Sequence, residues 1–494
     1  TYNRIEALHQ MGHSIEKIEL IILGGTWSYY PEPYQIWFIK ECFRAMNEFG
    51  VHDDQQVVRE RYRAAEKALA AQSIAGRSDN PRVNQDRFGD QQLIAGRNRD
   101  TQAAYNQTVA QLYNQPERLV GLDQYQAATW VELAQEQLRN ETAVSRNVGL
   151  VIETRPDNIS PAEVIKIRRL GCTKTQIGIQ SLQDEVLTKN HRGHDVAATR
   201  KAIGLLRQAG FKIHAHWMPN LYGSSPAADK QDYQLLFSDP DFKPDELKIY
   251  PCSLIESAEL VEYYRKGLWQ PYTEEELLDV LSYCFLETPG YCRLTRVIRD
   301  IPSPDIMVGN KKTNFRQLVE NWLAKHKHTI REIRAREIRG RAHLTDQAST
   351  SALQYTTSVS EEYFLQVTVP DSEQQERLLA FLRLSLPEFD QAALVPELNQ
   401  AAMIREVHVY GQATALGQRQ QDRAQHVGYG KQLIQLASEL ASQAGFKRLA
   451  VISAVGTREY YRKLGFSDGE LYQFIDLPTT VSDRAVTDIP TYAT

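Results

Sequence analysis

The feature that most constrains the fold of this chain is the alternation of short apolar segments with helical segments in its first half. Five apolar segments are predicted strands: 18–23, 148–152, 175–179, 212–218 and 247–250. The segments between them show helical spacing, as in 196–209, or a helix-start pattern, as in Ser160-Pro161-Ala162-Glu163. Strands that alternate with helices predict a parallel sheet wound as a partial or full barrel, and therefore an α/β fold.

Polar residues follow three of these predicted strands. They are Gly24, Gly25 and Thr26 after the first, Glu153 and Arg155 after the second, and Gln180 and Ser181 after the third. Barrel enzymes place their sites at the carboxyl ends of the strands. Backbone carbonyls accept hydrogen bonds from an ammonium group, a carboxylate accepts hydrogen bonds from ribose hydroxyls, and an arginine donates two hydrogen bonds to a carboxylate. Together these residues fit a ligand with an amino group, a carboxylate, a ribose and an adenine, although each motif alone also fits an ordinary turn, ion pair or loop start.

The last third of the chain has the order of elements that an acetyl-coenzyme A site requires. A strand at 404–410 is followed by a glycine-rich turn at 425–430, a helix, and a second strand at 449–453. The alternation in the first strand places Glu406 and His408 on one face and Val407 and Val409 on the other. Glycines at a helix start allow backbone N–H groups to approach a pyrophosphate closely, which predicts coenzyme binding there.

Two adjacent tyrosines, Tyr460 and Tyr461, follow the second of these strands. A tyrosine in this place is the natural acid for protonating a departing thiolate, so both are candidate catalytic residues. Packing in an aromatic core is the alternative interpretation for one of the two.

Charge is distributed unevenly along the chain. The net charge of the 494 residues is −5, which gives no general reason to expect nucleic acid. The stretch 293–341, however, contains thirteen Lys and Arg against five Asp and Glu. Such a stretch can neutralise several phosphates, and a solvated helical face is the alternative interpretation.

Length and composition favour two or more compact units and an intracellular protein. No apolar segment is long enough for a membrane span, and we expect a cytoplasmic location with no membrane partner. The five cysteines are too few and too scattered for a disulfide framework. We interpret 54–145 as a helical insertion without catalytic groups, 341–360 as a linker and 478–494 as a loosely structured tail.

Motifs in both halves identify a family resemblance. Leu23-Gly24-Gly25-Thr26, Ile152-Glu153-Thr154-Arg155-Pro156 and His214-Ala215-His216-Trp217-Met218-Pro219 resemble the radical S-adenosylmethionine domain of the third Elongator protein family. Residues 405–411 and 456–463 resemble its GNAT-type acetyltransferase domain. The resemblance implies a radical domain at 1–340, with tRNA binding at 293–341, and an acetyltransferase domain at 361–477. It further implies an enzyme that converts the wobble uridine of tRNA to 5-carboxymethyluridine.

The resemblance also implies cofactors and binding residues. S-adenosylmethionine would lie at Gly24, Gly25, Thr26, Glu153, Arg155, Gln180 and Ser181. Acetyl-CoA would lie between the two domains, at Lys17, Glu406, Val407, His408, Val409, Gln425, Gly428, Tyr429, Gly430, Lys431 and Tyr461. Candidates for contact with the tRNA backbone are Arg296, Arg299, Lys311, Lys312 and Arg316. We expect the two cofactor sites to face each other across one cleft, and self-association stays open.

One family feature is missing from the sequence. The family holds a 4Fe-4S cluster with three cysteines upstream of the first strand, and this chain has no such cysteines, so no metal ligands are assigned within it. Because residue 1 is not methionine, we expect that the cysteine loop lies upstream of the given sequence. Two alternatives stay open: a protein lysine acetyltransferase that uses only the second half, and a cluster-free protein that binds tRNA and acetyl-CoA without turnover.

Overall fold

Two sheets organise the chain, and most of their strands coincide with the segments that the sequence predicts. The computed structural model describes residues 1–23, 26–50, 56–58, 60, 64, 126–256, 258–298, 305–338, 347–371, 375–388, 393–410, 428–478 and 489–493. Gly24, Gly25, Arg299 and Gln425 lie outside the described residues, as does most of the insertion predicted at 54–145.

The first half forms a six-stranded sheet in which every pairing is parallel. Its strands, in spatial order, are β1 (Lys17–Ile22), β2 (Arg146–Thr154), β3 (Lys174–Gln180), β4 (Lys212–Trp217), β5 (Glu246–Ile249) and β7 (Arg293–Val297). A further small sheet pairs β6 (Leu254–Ile255) with β8 (Ile306–Val308). The open parallel sheet is a partial barrel and confirms the predicted α/β class.

Helices connect these strands and pack against them. In chain order they are α1 (Tyr2–Gln10), α2 (Glu32–Glu48), α3 (Trp130–Asn140), α4 (Pro161–Arg169), α5 (Asp184–Lys189), α6 (Val196–Gln208), α7 (Pro226–Ser238), α8 (Leu260–Arg265), α9 (Glu274–Glu287), α10 (Phe315–Lys325) and α11 (Ile333–Arg336). The predicted start of α4 is confirmed, because Ser160 Oγ accepts from the Glu163 N–H at 3.2 Å. No helix in the described ranges combines the length and apolar character needed to cross a bilayer.

The second half forms a mixed eight-stranded sheet. Its strands, in chain order, are β9 (Ser349–Thr356), β10 (Ser360–Pro370), β11 (Glu376–Pro387), β12 (Ala401–Val409), β13 (Arg448–Val451), β14 (Ser467–Asp468), β15 (Gln473–Asp476) and β16 (Thr491–Ala493). The helix α12 (Tyr429–Gln443) precedes β13, and the short helix α13 (Arg458–Arg462) follows it. β12 and β13 run parallel, while β9, β10, β11 and β12 are antiparallel neighbours.

The structure changes two of the predicted segments, the linker and the tail. Residues 349–360, assigned to a linker, instead contain β9 and the start of β10. The segment is rich in serine and threonine and so resembles a polar linker, yet Ser351, Ala352 and Tyr355 are buried in the sheet. The predicted tail contributes β16, which pairs with β9, and the described end of the 54–145 insertion contains α3.

A buried group of charged residues joins the two halves, and we call it the interface ion cluster. It consists of Asp245, which precedes β5, Arg383 on β11, and Glu362, Arg405 and Glu406 on β10 and β12. Arg405 donates two hydrogen bonds to the Asp245 carboxylate, at 2.6 and 2.8 Å, and one to Glu362 at 3.0 Å. Arg383 Nη1 lies 3.3 Å from Asp245, and its Nε donates to Glu406 at 2.9 Å. Although burial opposes ionisation, the two arginines hold the pKa of Asp245 well below its usual range.

Removal of the central carboxylate should therefore destabilise the whole protein. We expect Asp245→Ala to lower the free energy of unfolding by about 3–5 kcal/mol, because it removes the carboxylate that two buried guanidinium groups share and leaves each with a single remaining carboxylate partner. Urea unfolding followed by circular dichroism measures this loss. The control is Asp476→Ala, since Asp476 is 93% exposed, 4.0 Å from Arg448, and worth at most about 1 kcal/mol. Equal losses in the two variants would contradict the assigned importance of the cluster.

Candidate functional site

A cavity of about 400 Å³ lies between the two halves of the protein. One wall is formed by β11 and β12, including Arg383, Glu406 and His408. The opposite wall is formed by the amino ends of the parallel strands, including Lys212 and Glu246. Tyr461, from α13, also lines it, so the cavity collects several of the residues predicted to bind acetyl-CoA.

The charged wall of this cavity follows from an unusual pattern in the parallel sheet. Each of the six strands begins with a charged residue, and these residues are Lys17, Arg146, Lys174, Lys212, Glu246 and Arg293. The last four line the cavity. Sequence reasoning missed them because it looked for function at the carboxyl ends of the strands alone. A charged residue in front of every apolar strand was the signal, since strands of a parallel sheet are normally apolar on both faces.

Lys212 connects the two walls. Its Nζ lies 3.3 Å from Glu246 on the neighbouring strand and donates to Glu406 of β12 at 2.5 Å. Burial opposes ionisation of both carboxyl groups, but Lys212 holds the pKa of each below its usual range, with help from Lys174 at Glu246 and from Arg383 at Glu406. Both glutamates are therefore ionised at neutral pH, and the cavity contains a fixed and fully paired set of charges.

β12 and β13 separate at the cavity and leave a backbone edge facing it. The two strands pair only from Ala401 to Ile404, whereas β12 continues to Val409. Among the described strands none pairs with this side of residues 406–409. Backbone N–H and C=O groups along such an edge bind an extended amide-containing ligand in the manner of an added strand.

A bulge in β12 sets which side chains point into the cavity. The register with β11 shifts so that Leu384 opposes Ile404 while Arg383 opposes Glu406, which leaves Arg405 as the extra residue. The alternation predicted for residues 406–409 is present beyond the bulge. His408 stacks on Phe381, with ring centroids 5.4 Å apart, whereas Val407 and Val409 pack against the core of the second sheet, and Val407 also lines the cavity.

The start of α12 has the glycine geometry predicted for a pyrophosphate site. Gly428 precedes the helix with φ +79°, a conformation that favours glycine. A Cβ on Gly430 would lie 2.8 Å from Tyr460 Oη, so this tyrosine packs directly over the first helical turn. Tyr429 is buried in the same core as Val407. Lys431 instead faces another cavity, on the far side of α12, together with Ser438.

The two tyrosines of α13 differ in their surroundings. Tyr461 is 7% exposed and lines the main cavity, and burial raises its pKa well above the usual value. Tyr460 is 43% exposed, and burial raises its pKa as well. His408 faces the cavity between Phe381 and Tyr410, and desolvation lowers its pKa. At neutral pH the cavity therefore presents a protonated phenol and a neutral imidazole.

The residues predicted to bind S-adenosylmethionine gather at the opposite edge of the parallel sheet. Thr26, Glu153 and Gln180 lie at or just beyond the carboxyl ends of β1, β2 and β3. Gln180 has φ +65°, and its buried Oε1 has no hydrogen-bond partner among the described residues. Strain and an unpaired acceptor at a strand end are typical of a binding site. Arg155 is held by Asp157 at 2.9 Å and by the Arg192 carbonyl at 2.7 Å, while Ser181 donates to Asp232 at 3.1 Å.

The expected single cleft between the two cofactor sites is not found in the described part of the chain. None of the residues predicted to bind S-adenosylmethionine lines the main cavity. Polar side chains inside the sheet separate the two edges, and we call them the lumen column: Gln176, His214, His216, Lys248 and Thr295. His216 lies 3.5 Å from Glu153 and 3.0 Å from Gln176, and His214 lies 2.8 Å from Thr295 and 3.3 Å from Glu246. Two hydrogen-bonded groups, which meet where the rings of His214 and His216 lie edge to face at 5.7 Å, therefore lie between the two edges where an open passage was expected.

The described candidates for tRNA contact differ in how available they are. Arg316 is committed to other groups, because its three guanidinium nitrogens bind Glu320, the Leu294 carbonyl and Glu332 at 2.8 to 2.9 Å. Lys312 is paired with Glu274 at 2.6 Å, but both side chains are about half exposed. Arg296 and Lys311 are exposed. We therefore withdraw Arg316 as a candidate and keep the other three described residues as predictions.

The cysteines of the described residues do not form a metal site. No group of three or more His, Cys, Asp or Glu side chains there has the arrangement of metal ligands. Burial raises the pKa of Cys172 to about 12 and raises those of Cys284 and Cys292 well above the usual value, so these thiols stay protonated.

Comparison with known proteins gives matches along nearly the whole chain. Residues 244–325 match the family described as the Radical_SAM C-terminal domain. The tRNA uridine(34) acetyltransferase of Methanocaldococcus infernus is 34% identical over 94% of this chain and 73% of its own length. The protein of that name from Dehalococcoides mccartyi is 32% identical over 94% and 84%, and human Elongator complex protein 3 is 28% identical over 94% and 71%. The structure of M. infernus Elp3 with residues 1–46 deleted superposes with a TM-score of 0.73 at 32% identity, covering 96% of this chain and 94% of that one.

Loss of the Lys212 ammonium should destabilise the protein most at neutral to alkaline pH and least in mild acid. In the native protein the folded pKa values of Glu246 and Glu406 lie below their unfolded values. These two groups therefore stabilise the protein above the unfolded pKa, and this stability is lost only as pH falls through the folded pKa. In Lys212→Met burial should raise the folded pKa values above the unfolded ones, so the variant should be least stable near about pH 8 and should regain stability as pH falls toward about pH 5. Thermal melts across this range measure the difference. Exposed Lys447→Met is the control, and parallel pH profiles would contradict the assigned role.

Proposed function

Because the chain belongs to the family of tRNA uridine(34) acetyltransferases and Elongator complex protein 3, we propose that it modifies the wobble uridine of tRNA to 5-carboxymethyluridine. Acetyl-CoA supplies the two-carbon group in this proposal, and S-adenosylmethionine supplies the radical. The observation that carries it is the cavity between the halves, where the unpaired edge of β12 meets His408 and Tyr461. An extended coenzyme arm along that edge would bring its thioester to these two side chains.

The residues of the cavity suit thioester cleavage. Water attacks the carbonyl carbon, the carbon–sulfur bond breaks, and the products are a carboxylic acid and the free thiol. In this proposal the neutral imidazole of His408 accepts a proton from the attacking water. The Tyr461 hydroxyl donates a proton to the departing thiolate. Burial keeps the Tyr461 phenol protonated at neutral pH, as an acid must be before each turnover. Lys212 and Arg383 keep Glu406 ionised and fixed, which holds the adjoining part of β12 in position.

The residues at the carboxyl edge of the parallel sheet fit S-adenosylmethionine, since Gln180 offers a buried, unpaired acceptor and Glu153 a carboxylate. When bound there, S-adenosylmethionine would supply an organic radical on one-electron reduction, for which the iron–sulfur cluster implied by the family would be the reductant. An iron–sulfur cluster does not fit the cysteines described above, because they are scattered and protonated. No step through a cluster is therefore assigned to this chain's own residues.

A protein lysine acetyltransferase is the alternative activity, and the cavity argues against it. Such an enzyme needs an open groove in which a peptide lies beside the thioester. Here the facing wall is formed by Lys174, Lys212, Glu246 and Arg293 of the parallel sheet. The same wall leaves room for a small acyl group held between two protein surfaces.

Replacement of the Tyr461 hydroxyl should abolish thioester cleavage that depends on tRNA. We expect Tyr461→Phe to lower the rate of tRNA-stimulated acetyl-CoA hydrolysis by about 10²- to 10⁴-fold, the usual contribution of a positioned acid. Release of free thiol, followed with a colorimetric thiol reagent with and without tRNA, measures this rate. Affinity for tRNA should stay nearly unchanged.

The matched control is Tyr460→Phe, which removes the neighbouring hydroxyl from a more exposed ring and should change the rate by less than about 10-fold. Unchanged hydrolysis in Tyr461→Phe would remove Tyr461 from the mechanism. Hydrolysis indifferent to tRNA, together with acetylation of lysine peptides, would support the alternative activity. Absence of turnover in the native protein would favour a binding protein without catalysis.

A further inference from the structure

An exposed aromatic group stands at the carboxyl end of α10. Trp322 is 37% exposed, although tryptophan is on average a highly buried side chain. His326 lies against it, with ring centroids 4.1 Å apart and planes tilted by 30°. His328 lies on it at 6.2 Å with nearly parallel planes, 16° apart. The three rings form one surface, which we call the aromatic patch.

All charged residues in the segment that carries the aromatic patch are basic. Residues 321–331 contain Lys325, Lys327 and Arg331 and no acidic residue. All three are exposed, and none has an ion-pair partner among the described residues. The nearest acidic residue before this segment, Glu320, is already paired with Arg316 at 2.8 Å.

Helix termination explains part of this arrangement but not all of it. Cations near the carboxyl end of a helix are favoured by its dipole, which accounts for Lys325 and His326. His326 is also fixed locally, since its Nδ1 lies 2.8 Å from the Trp322 carbonyl oxygen. Neither effect explains why a tryptophan is left open to solvent with two further rings aligned on it, outside the apolar core that Leu323 of the same helix enters.

We propose that the aromatic patch is a stacking platform for an unpaired base of an RNA loop, with Lys325, Lys327 and Arg331 binding the adjoining phosphates. Aromatic faces surrounded by unpaired cations are the combination by which proteins hold single-stranded nucleic acid. The inference rests on the proposed function and deepens it, because it adds a contact surface beyond the candidates Arg296, Lys311 and Lys312. In this inference, preference for unpaired RNA loops comes from stacking of a base on the aromatic patch, and the basic residues contribute affinity for the phosphates.

The inference separates two contributions to RNA binding that can be measured apart. Trp322→Ala should weaken binding of a tRNA transcript about 10-fold without changing its salt dependence, because it removes a stacking surface and no charge. The double variant Lys325→Ser/Lys327→Ser should weaken binding and reduce the slope of log K against log salt by about 1 to 2 units. Trp322→Phe should retain most of the affinity, since it keeps an aromatic face. Fluorescence anisotropy of labelled tRNA at several salt concentrations measures all four proteins.

Matched controls come from other exposed residues of the chain. Tyr492→Ala removes an exposed ring from β16, and Lys201→Ser/Lys447→Ser removes two exposed charges from α6 and the second half. Both should leave affinity and salt slope near the native values. A direct readout is the quenching of tryptophan fluorescence by RNA, which should be smaller in Trp322→Phe than in the native protein.

The outcomes separate this inference from the proposed function. If the native protein binds tRNA and its hydrolysis of acetyl-CoA is stimulated, but the variants of the aromatic patch bind tRNA as the native protein does, the stacking platform is wrong and the proposed function stands. If the native protein does not bind tRNA, both are wrong. Unchanged tRNA binding together with loss of self-association in Trp322→Ala would show that the patch is a protein interface instead.

Discussion

The buried contact between Asp245 and the arginines of β11 and β12 is the interaction on which the cavity depends. Asp245 precedes a strand of the parallel sheet, and Arg383 and Arg405 belong to the mixed sheet, so the contact fixes one half against the other. In a poorly polarisable interior such charges are stable only when each is paired, and this restricts the two sheets to one relative position. That position brings Lys212 within reach of Glu406 and closes the cavity. Neutral contacts act in the same direction, including the Tyr472 hydroxyl that donates to the Ala209 carbonyl at 2.8 Å.

Local sequence patterns were sufficient for most of the fold. Five of the six parallel strands are predicted because each is an apolar segment bounded by polar residues. A coenzyme site is proposed in the second half because a strand, a glycine turn and two tyrosines follow one another closely. β9 was assigned to a linker because its serines and threonines resemble a solvated segment. The burial of Ala352 and Tyr355 depends on packing in a sheet beside the neighbouring strand β10, and sequence alone does not reveal that neighbour.

The charged residues of the cavity could not be predicted from local sequence. Lys212 and Glu406 are 194 positions apart, and neither residue indicates its partner. The same holds for Arg316, which appeared available for RNA as one cation in a basic stretch but is bound by Glu320 and Glu332 in the folded protein. Charge counts describe a segment, whereas availability depends on which carboxylates the fold places beside it. Trp322 shows the reverse case, because its exposure becomes evident only when the rest of the helix is seen to be packed.

The lumen column lies between two edges of the parallel sheet that are a fixed distance apart. Gly149 at the cavity and Glu153 at the opposite edge are separated by four positions of β2, roughly 13 Å at about 3.3 Å per residue. A sheet of six paired strands does not contract, so the distance between its two edges is fixed. Under the proposed function, a group handled at both edges would have to be carried by a long and flexible arm of its own carrier molecule. The distance that such a group can move would then depend on the length of its carrier molecule, because the two edges of the sheet keep a fixed separation.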